Sequence, residues 1–372
     1  MKLKPILKWI AFTIPGLVVL AALALFIAYW RSDNDCGEKI AAEGDMMKAT
    51  VYCDYGSPDV LRLEDVKKPE PDDHQVLVKV HAASVNPFDW HFMQGTPYIM
   101  RLQAGLRKPK ATRLGVDYAG TVEAVGKNVT EFKPGDEVFG GKSGAFAQYL
   151  CARADRAIAL KPANLTFEQA ASVGIAGVTA LQGLRDNGKL QAGQKVLING
   201  ASGGVGTFAV QIAKSLGADV TGVCSTKNMP LVLSLGADQV IDYTKEDFTR
   251  GGPRYDLILD NVGTQPLLGF KRALKPEGIC VLIGGGGPDE GRWIGPMSRP
   301  IKALLLSPFV SQKFGMLLAD LNKKDLNVLR DLMQTGKVTP VIDRTFALSQ
   351  VADAVRYLEK GHARGKVVIT VD

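Results

Sequence analysis

The chain is poor in metal-binding side chains: it has four histidines in 372 residues, and five cysteines (Cys36, Cys53, Cys151, Cys224, Cys280) that form no C-x-x-C pair. Such spacing gives neither a disulfide framework nor a zinc ribbon, and it reads as free thiols in a reducing compartment. Lysines and arginines are spread rather than clustered with aromatics, and the net charge is only +7, so a nucleic-acid partner is excluded. No internal repeat of about 20–50 residues occurs, which removes solenoids and propellers. The 40 glycines follow no period, so collagen-like and low-complexity readings fail as well.

What remains is a chain that is 46% hydrophobic and 22% charged, enough for one large or two medium domains with real cores. It opens on "WIAFTIPGLVVLAALALFIAYW", Trp9 to Trp30, with no charge in it. As a helix this run spans about 33 Å, the thickness of a bilayer core. Trp9, Tyr29 and Trp30 stand at its ends, where interfacial aromatics belong. It exceeds a signal-peptide core and no small-x-small site follows it, so we expect an uncleaved anchor over residues 1–31 and a polar linker over 32–46. Lys2, Lys4 and Lys8 precede the span, while Arg31 and Lys39 follow it, a weak bias toward a cytosolic N-terminus. Free thiols and the cofactor inferred below argue the other way, for a single-pass membrane protein whose body faces the cytosol.

From Met47 the pattern is β-rich. "QVLVKVHAASV" alternates at Val76, Val78 and Val80, and Pro134-Gly135 marks a turn before another strand. Near Leu165 the rhythm changes to strands alternating with helices. "SLGAD" occurs at 215–219 and again at 234–238, each time a helix end with a Gly suited to the C-cap, followed by a β-branched strand. Successive βα units of this kind predict a doubly wound parallel sheet. The last residues, "GKVTPVIDRTF" to "GKVVITV", leave that rhythm and are expected to fold back into the β domain.

The stretch "KVLINGASGGVGTFAVQIAKSLGA" runs a buried strand into Gly200-x-x-Gly203-x-x-Gly206 and then a helix. Glycines let the backbone approach a pyrophosphate, and the helix N-terminus offers amide N–H groups and a positive dipole. The next strand ends in Cys224-Ser225-Thr226-Lys227-Asn228, where NAD-specific sites carry an acid. Hydroxyls and Lys227 suit a 2′-phosphate, so NADPH is the expected cofactor.

Taken together, "SVNPFDW" (84–90), "GVDYAG" (115–120), "GVTAL" (177–181), "GASGGVG" (200–206), "DNVG" (260–263) and "GKVVITV" (365–371) resemble the medium-chain dehydrogenase/reductase superfamily. Within it the chain is similar to the zinc-independent quinone oxidoreductase branch, which includes relatives of the reticulon-interacting mitochondrial oxidoreductase. The resemblance implies an α/β protein with a GroES-like β domain at 47–170 completed by 311–372, and a Rossmann domain at 171–310. It also implies that Ser202, Gly204 and Val205, with Gly200, Gly203 and Gly206, line the pyrophosphate. Ser225 and Lys227 would meet the 2′-phosphate, Tyr243 the adenine, and Thr179 and Asn261 the nicotinamide side. Zinc relatives carry Gly-His-Glu where this chain has Gly115-Val116-Asp117, and His74, His81, His91 and His362 are scattered, so no metal site is expected.

Without zinc, reduction of a conjugated carbonyl needs a bound NADPH, a dry pocket and a donor for the developing oxyanion. Tyr98, Asn86 and Asp89 are the candidates, with a packing role open for Tyr98 and a turn-holding role open for Asp89. The expected activity is hydride transfer to a small apolar quinone or α,β-unsaturated carbonyl. A 2-enoyl thioester reductase and a non-catalytic, membrane-tethered NADPH-binding scaffold remain alternatives. The apolar segment Arg292–Leu321 fits a cleft cover, a homodimer face or a lipid contact; its prolines argue against a second span.

Overall fold

The computed structural model describes residues 20, 23–24, 26–34, 36, 44–252, 254–284 and 291–371. Most of the Trp9–Trp30 run lies outside them; its described residues are helical. No helix among the described residues is long and apolar enough to cross a membrane.

The strands are β1 (Met46–Val51), β2 (Arg62–Lys67), β3 (Gln75–Val85), β4 (Asp117–Val125), β5 (Glu137–Gly141), β6 (Tyr149–Arg153), β7 (Ile158–Leu160), β8 (Lys195–Asn199), β9 (Asp219–Cys224), β10 (Gln239–Asp242), β11 (Tyr255–Asp260), β12 (Leu274–Leu282), β13 (Lys313–Met316), β14 (Ile342–Ala347) and β15 (Lys366–Thr370). Beyond the β1–β2 hairpin they form two large sheets. The first runs β14-β15-β3-β4-β5-β7, with β6 also on β3. The second is parallel throughout and runs β10-β9-β8-β11-β12-β13.

β3 shows how the first sheet is wired. Its first half, Gln75–Lys79, pairs with β6, and its second half, Ala82–Val85, pairs with β15. The register slips between Val80 and Ala82, and this bulge lets one strand change partner at His81. Because β14 and β15 lie in this sheet, the end of the chain returns to the β domain. β13 belongs instead to the parallel sheet, so the boundary expected at 311 falls after Met316.

In the parallel sheet both glycines of the "SLGAD" echo sit in the left-handed region, Gly217 at φ 80° and Gly236 at φ 100°. They close the helices Gly204–Ser215 and Met229–Ser234 before β9 and β10. The buried strand residues Val196 and Ile198 pack against Phe208, Ala209 and Ile212 of the first of these helices, while Leu197 faces the other side of the sheet with Ile258 and Phe270. Each large apolar side chain so buried is worth about 1.5–3 kcal/mol.

One sequence expectation is corrected. Cys36 and Cys53 are joined in a disulfide, with Cα atoms 5.6 Å apart, and only Cys151, Cys224 and Cys280 are free. The pairing depends on where the linker meets the β domain, which cysteine spacing does not report. Asn34 Nδ2 donates to the carbonyls of Cys53 and Pro109 at 2.8 and 3.1 Å, and holds the linker at the same place.

Candidate functional site

β8 is the switch point of the parallel sheet: from it the chain winds outward through β9 and β10, then returns to its other side as β11. Ligands of such sheets bind in the crevice beyond the strand ends at that point. Here Asn199 closes β8 and Asp260 closes β11, directly across the ladder. Asn199 Nδ2 donates to Asp260 Oδ1 at 2.8 Å, and Asp260 Oδ2 pairs with the buried Arg299 at 2.7 Å. Asn261 follows; its amide donates to the Asn199 carbonyl, while its buried Oδ1 has no hydrogen-bond partner among the described residues.

The glycine loop lies on the same edge. Gly203 caps the helix Gly204–Ser215, whose first amides face outward. A Cβ on Gly206 would lie 2.1 Å from the Gly200 carbonyl, so only glycine lets the loop close onto the helix. Ser202 and Ser225 are brought together by the buried Asn228, whose Nδ2 donates to their hydroxyls at 3.0 and 3.3 Å and whose Oδ1 has no partner among the described residues. Ser225 is half-buried, and Lys227 and Tyr243 are exposed on the rim. Two unpartnered buried amide oxygens, a helix N-terminus and a glycine cradle fit a dinucleotide, with Ser202, Gly203, Gly204 and Val205 at its middle. Thr179 is buried on the neighbouring helix Gly174–Gln182. Sequence reasoning missed Asn228, Arg299 and Asp242. The Asp242 carboxylate is held by the hydroxyls of Thr226 and Thr244, which keep its pKa down at about 2.

The catalytic candidates separate. Asp89 is fully buried: Oδ2 accepts from the Asn86 amide at 2.8 Å and Oδ1 from the Gly115 amide at 3.0 Å. It clamps the start of the helix Pro87–Gln94 to Gly115, and with both carboxylate oxygens so engaged it has the turn-holding arrangement left open for it above. Burial raises its carboxyl to about 7. Asn86, 2% exposed, is also consumed: Nδ2 donates to Asp117 Oδ2 at 2.9 Å and to the Ser84 carbonyl, and Oδ1 accepts from Lys366. With both amide hydrogens committed it has no donor left for an oxyanion.

Asp117 is the hub of that buried group. It accepts from Ser84 Oγ at 3.1 Å, lies 3.5 Å from Lys366 Nζ, and takes the Ile175 amide at 2.8 Å on Oδ1. The last bond ties the helix Gly174–Gln182 to the β domain. Gly174 is required there, because a Cβ would stand 2.3 Å from Asp117 Oδ1. Lys366, read only as part of a strand, joins the two domains: the preceding Gly365 donates to the Ser202 carbonyl at 2.9 Å, and Lys366 Cδ lies 3.1 Å from where a Gly204 Cβ would be. Burial lowers its pKa against the pull of Asp117 and Asp89.

Tyr98 is the remaining candidate. It is half-buried, its amide donates to the Arg292 carbonyl at 2.7 Å, and its ring meets Trp293 edge-on at 5.4 Å. The hydroxyl makes no hydrogen bond among the described residues, so it can donate to a substrate oxygen. Val116 is half-buried on the "GVDYAG" turn, and no three His, Cys, Asp or Glu side chains among the described residues converge to hold a metal ion.

Two family models match the chain: "alcohol dehydrogenase GroES-like domain" over residues 72–162 and "zinc-binding dehydrogenase" over 235–369. An NADPH-dependent alkenal/one oxidoreductase of Arabidopsis thaliana is 36% identical over 87% of this chain and 79% of its own length. The mitochondrial NAD(P)H oxidoreductase RTN4IP1 of Mus musculus is 35% identical over 89% and 91%. The solved structure of a quinone oxidoreductase from Coxiella burnetii superposes with a TM-score of 0.74 at 34% identity, over 88% of this chain and 100% of that one. The chain therefore belongs to the medium-chain dehydrogenase/reductase superfamily of nicotinamide-dependent oxidoreductases, in the branch that holds the quinone oxidoreductases and RTN4IP1.

Proposed function

We propose that the protein transfers hydride from NADPH to a quinone or an α,β-unsaturated carbonyl, without zinc, while attached to a membrane by its N-terminal run. The observation that carries this reading is the Ser202–Asn228–Ser225 bridge beside exposed Lys227. It sets hydroxyls near a cation at the end of β9, where an NAD-specific site would present an acid. Relatives named as quinone and alkenal/one oxidoreductases support the acceptor class.

NADPH, when bound, supplies the hydride. The chain binds the pyrophosphate on the Gly203–Gly206 amides, holds the 2′-phosphate with Ser225 and Lys227, and offers Asn261 Oδ1 to the nicotinamide side. Tyr98 donates from its hydroxyl to the acceptor oxygen as charge develops there. The Trp293 ring packs edge-on against the Tyr98 ring. Val116 provides no lone pair in the place where zinc relatives hold a histidine, so polarisation of the carbonyl falls to such a donor.

Steady-state rates with NADPH and NADH against quinones, enones and enoyl thioesters, before and after chelation, test the reading. It expects NADPH to be preferred, quinone or enone turnover to exceed thioester turnover, and the chelator to leave the rate unchanged. Tight NADPH binding with no turnover on any acceptor would instead mark a scaffold.

For the membrane side, cofactor supply favours the cytosol, and we propose that orientation; the Cys36–Cys53 disulfide is the observation that opposes it. In intact cells a body shielded from externally added protease agrees with the proposal, and a body digested from outside overturns it.

A further inference from the structure

The described part of the N-terminal helix does not hang free of the body. Arg107 stacks over Trp30 at 6.0 Å, and its amide donates to Ser32 Oγ. Asp33 pairs with Arg107 and Lys108 at 3.5 and 3.2 Å, beside the Asn34 bonds and the Cys36–Cys53 link. The disulfide and one Asn34 bond fall on Cys53, and the others fall on Arg107, Lys108 and Pro109, in the segment that begins with the turn Tyr98–Met100. That turn is bonded in its own right to the apolar segment after residue 291: the amides of Tyr98 and Ile99 donate to the carbonyls of Arg292 and Trp293.

The two segments are joined at Tyr98–Ile99 and Arg292–Trp293, and their outer sides form the face considered below. On the first Ile99 and Leu102, and on the second Trp293, Leu304, Leu305 and Phe309, are 50–80% exposed. A water-soluble surface rarely concentrates so many large apolar groups. Bases are in excess on both segments: residues 99–113 carry five and residues 292–313 carry four, with no acid in either, although Arg299 is buried on Asp260 and Asp33 pairs with Arg107 and Lys108. Exposed apolar side chains beside an excess of cations match the surface of an anionic bilayer.

We propose that this face lies on an anionic lipid surface, continuous with the N-terminal anchor, and opens the Tyr98 rim toward acceptors dissolved in the membrane. The proposal rests on the anchored reading given above, and the experiment separates the two. The full-length protein is reconstituted into phosphatidylcholine–phosphatidylserine vesicles, with and without brominated acyl chains, alongside the L304E/L305E/F309E variant and a W293F variant.

The wild type should float with the vesicles and lose more tryptophan emission to bromolipid than W293F does. The triple variant should still float through its anchor and keep its rate on a short, water-soluble quinone. Its rate on a long-chain quinone held in the bilayer should fall by about fivefold or more. A wild type that stays with the soluble fraction overturns the anchor itself. A floating wild type quenched no more than W293F, or equal rates for the triple variant and the wild type on bilayer quinone, overturns the docking face alone. Loss of a dimer in the triple variant with unchanged bilayer-quinone turnover assigns the face to a second copy and overturns it too.

Discussion

At the scale of single residues, the buried charges decide what can be changed. Lys366 and Asp117 lie 4% and 0% exposed by side chain, so neither can be rehydrated when the other is removed. Breaking such a pair costs about 3–5 kcal/mol, and Lys366→Met should lower the urea midpoint accordingly. The double variant with Asp117→Asn should recover part of that loss, because the stranded carboxylate is gone; additive losses would deny the coupling. Asp89 gives a pH signature. Its folded-state carboxyl is raised from 3.8 to about 7, so its contribution to stability is full below about pH 4 and is lost as pH rises through 7. Urea titrations across that range should show a shallower decline for Asp89→Asn than for the wild type, and identical slopes would contradict the account. Tyr98→Phe tests the donor: kcat should fall by about tenfold or more with KM little changed, since only the developing oxyanion is affected.

At the scale of elements, Asp117 shows what the sequence could and could not tell. Its sequence neighbours mark it only as the residue after Val116, where zinc relatives carry Gly-His-Glu. Its partners come from three separate places, Ser84 and Asn86 at the end of β3, Lys366 on β15 and Ile175 at a helix start, and only the fold brings them together. The glycine loop and the repeated "SLGAD" were legible because their information is local: a turn, a cap and a strand within a few residues. The Cys36–Cys53 bond, the place of β13 in the parallel sheet and the engagement of the Asn86 side chain by Asp117 and Lys366 were not legible, since each depends on contacts distant in sequence. The helix Gly174–Gln182 is where this matters for function, because Asp117 pins its start and Thr179 rides on it. Gly174→Ala, with its Cβ driven to 2.3 Å from Asp117 Oδ1, should cost about 1–3 kcal/mol in thermal or urea unfolding.

At the scale of the whole molecule, the two domains meet where Gly365 bonds to Ser202 and Lys366 reaches past Gly204, so the cofactor cradle is built partly from the end of the chain. Specificity for the phosphate should reside on the Rossmann side alone. Ser225→Ala combined with Lys227→Ala should raise the NADPH dissociation constant about 10–100-fold and leave that for NADH nearly unchanged, as read by nicotinamide fluorescence. The central claim is that the bound dinucleotide delivers its hydride to a conjugated acceptor. It is tested most directly by turning over NADPH deuterated separately on each C4 face with an enone, and locating the label in the product by NMR. The account predicts deuterium on the β-carbon from one face only; cofactor that is bound yet leaves no deuterium in the product from either face would contradict it.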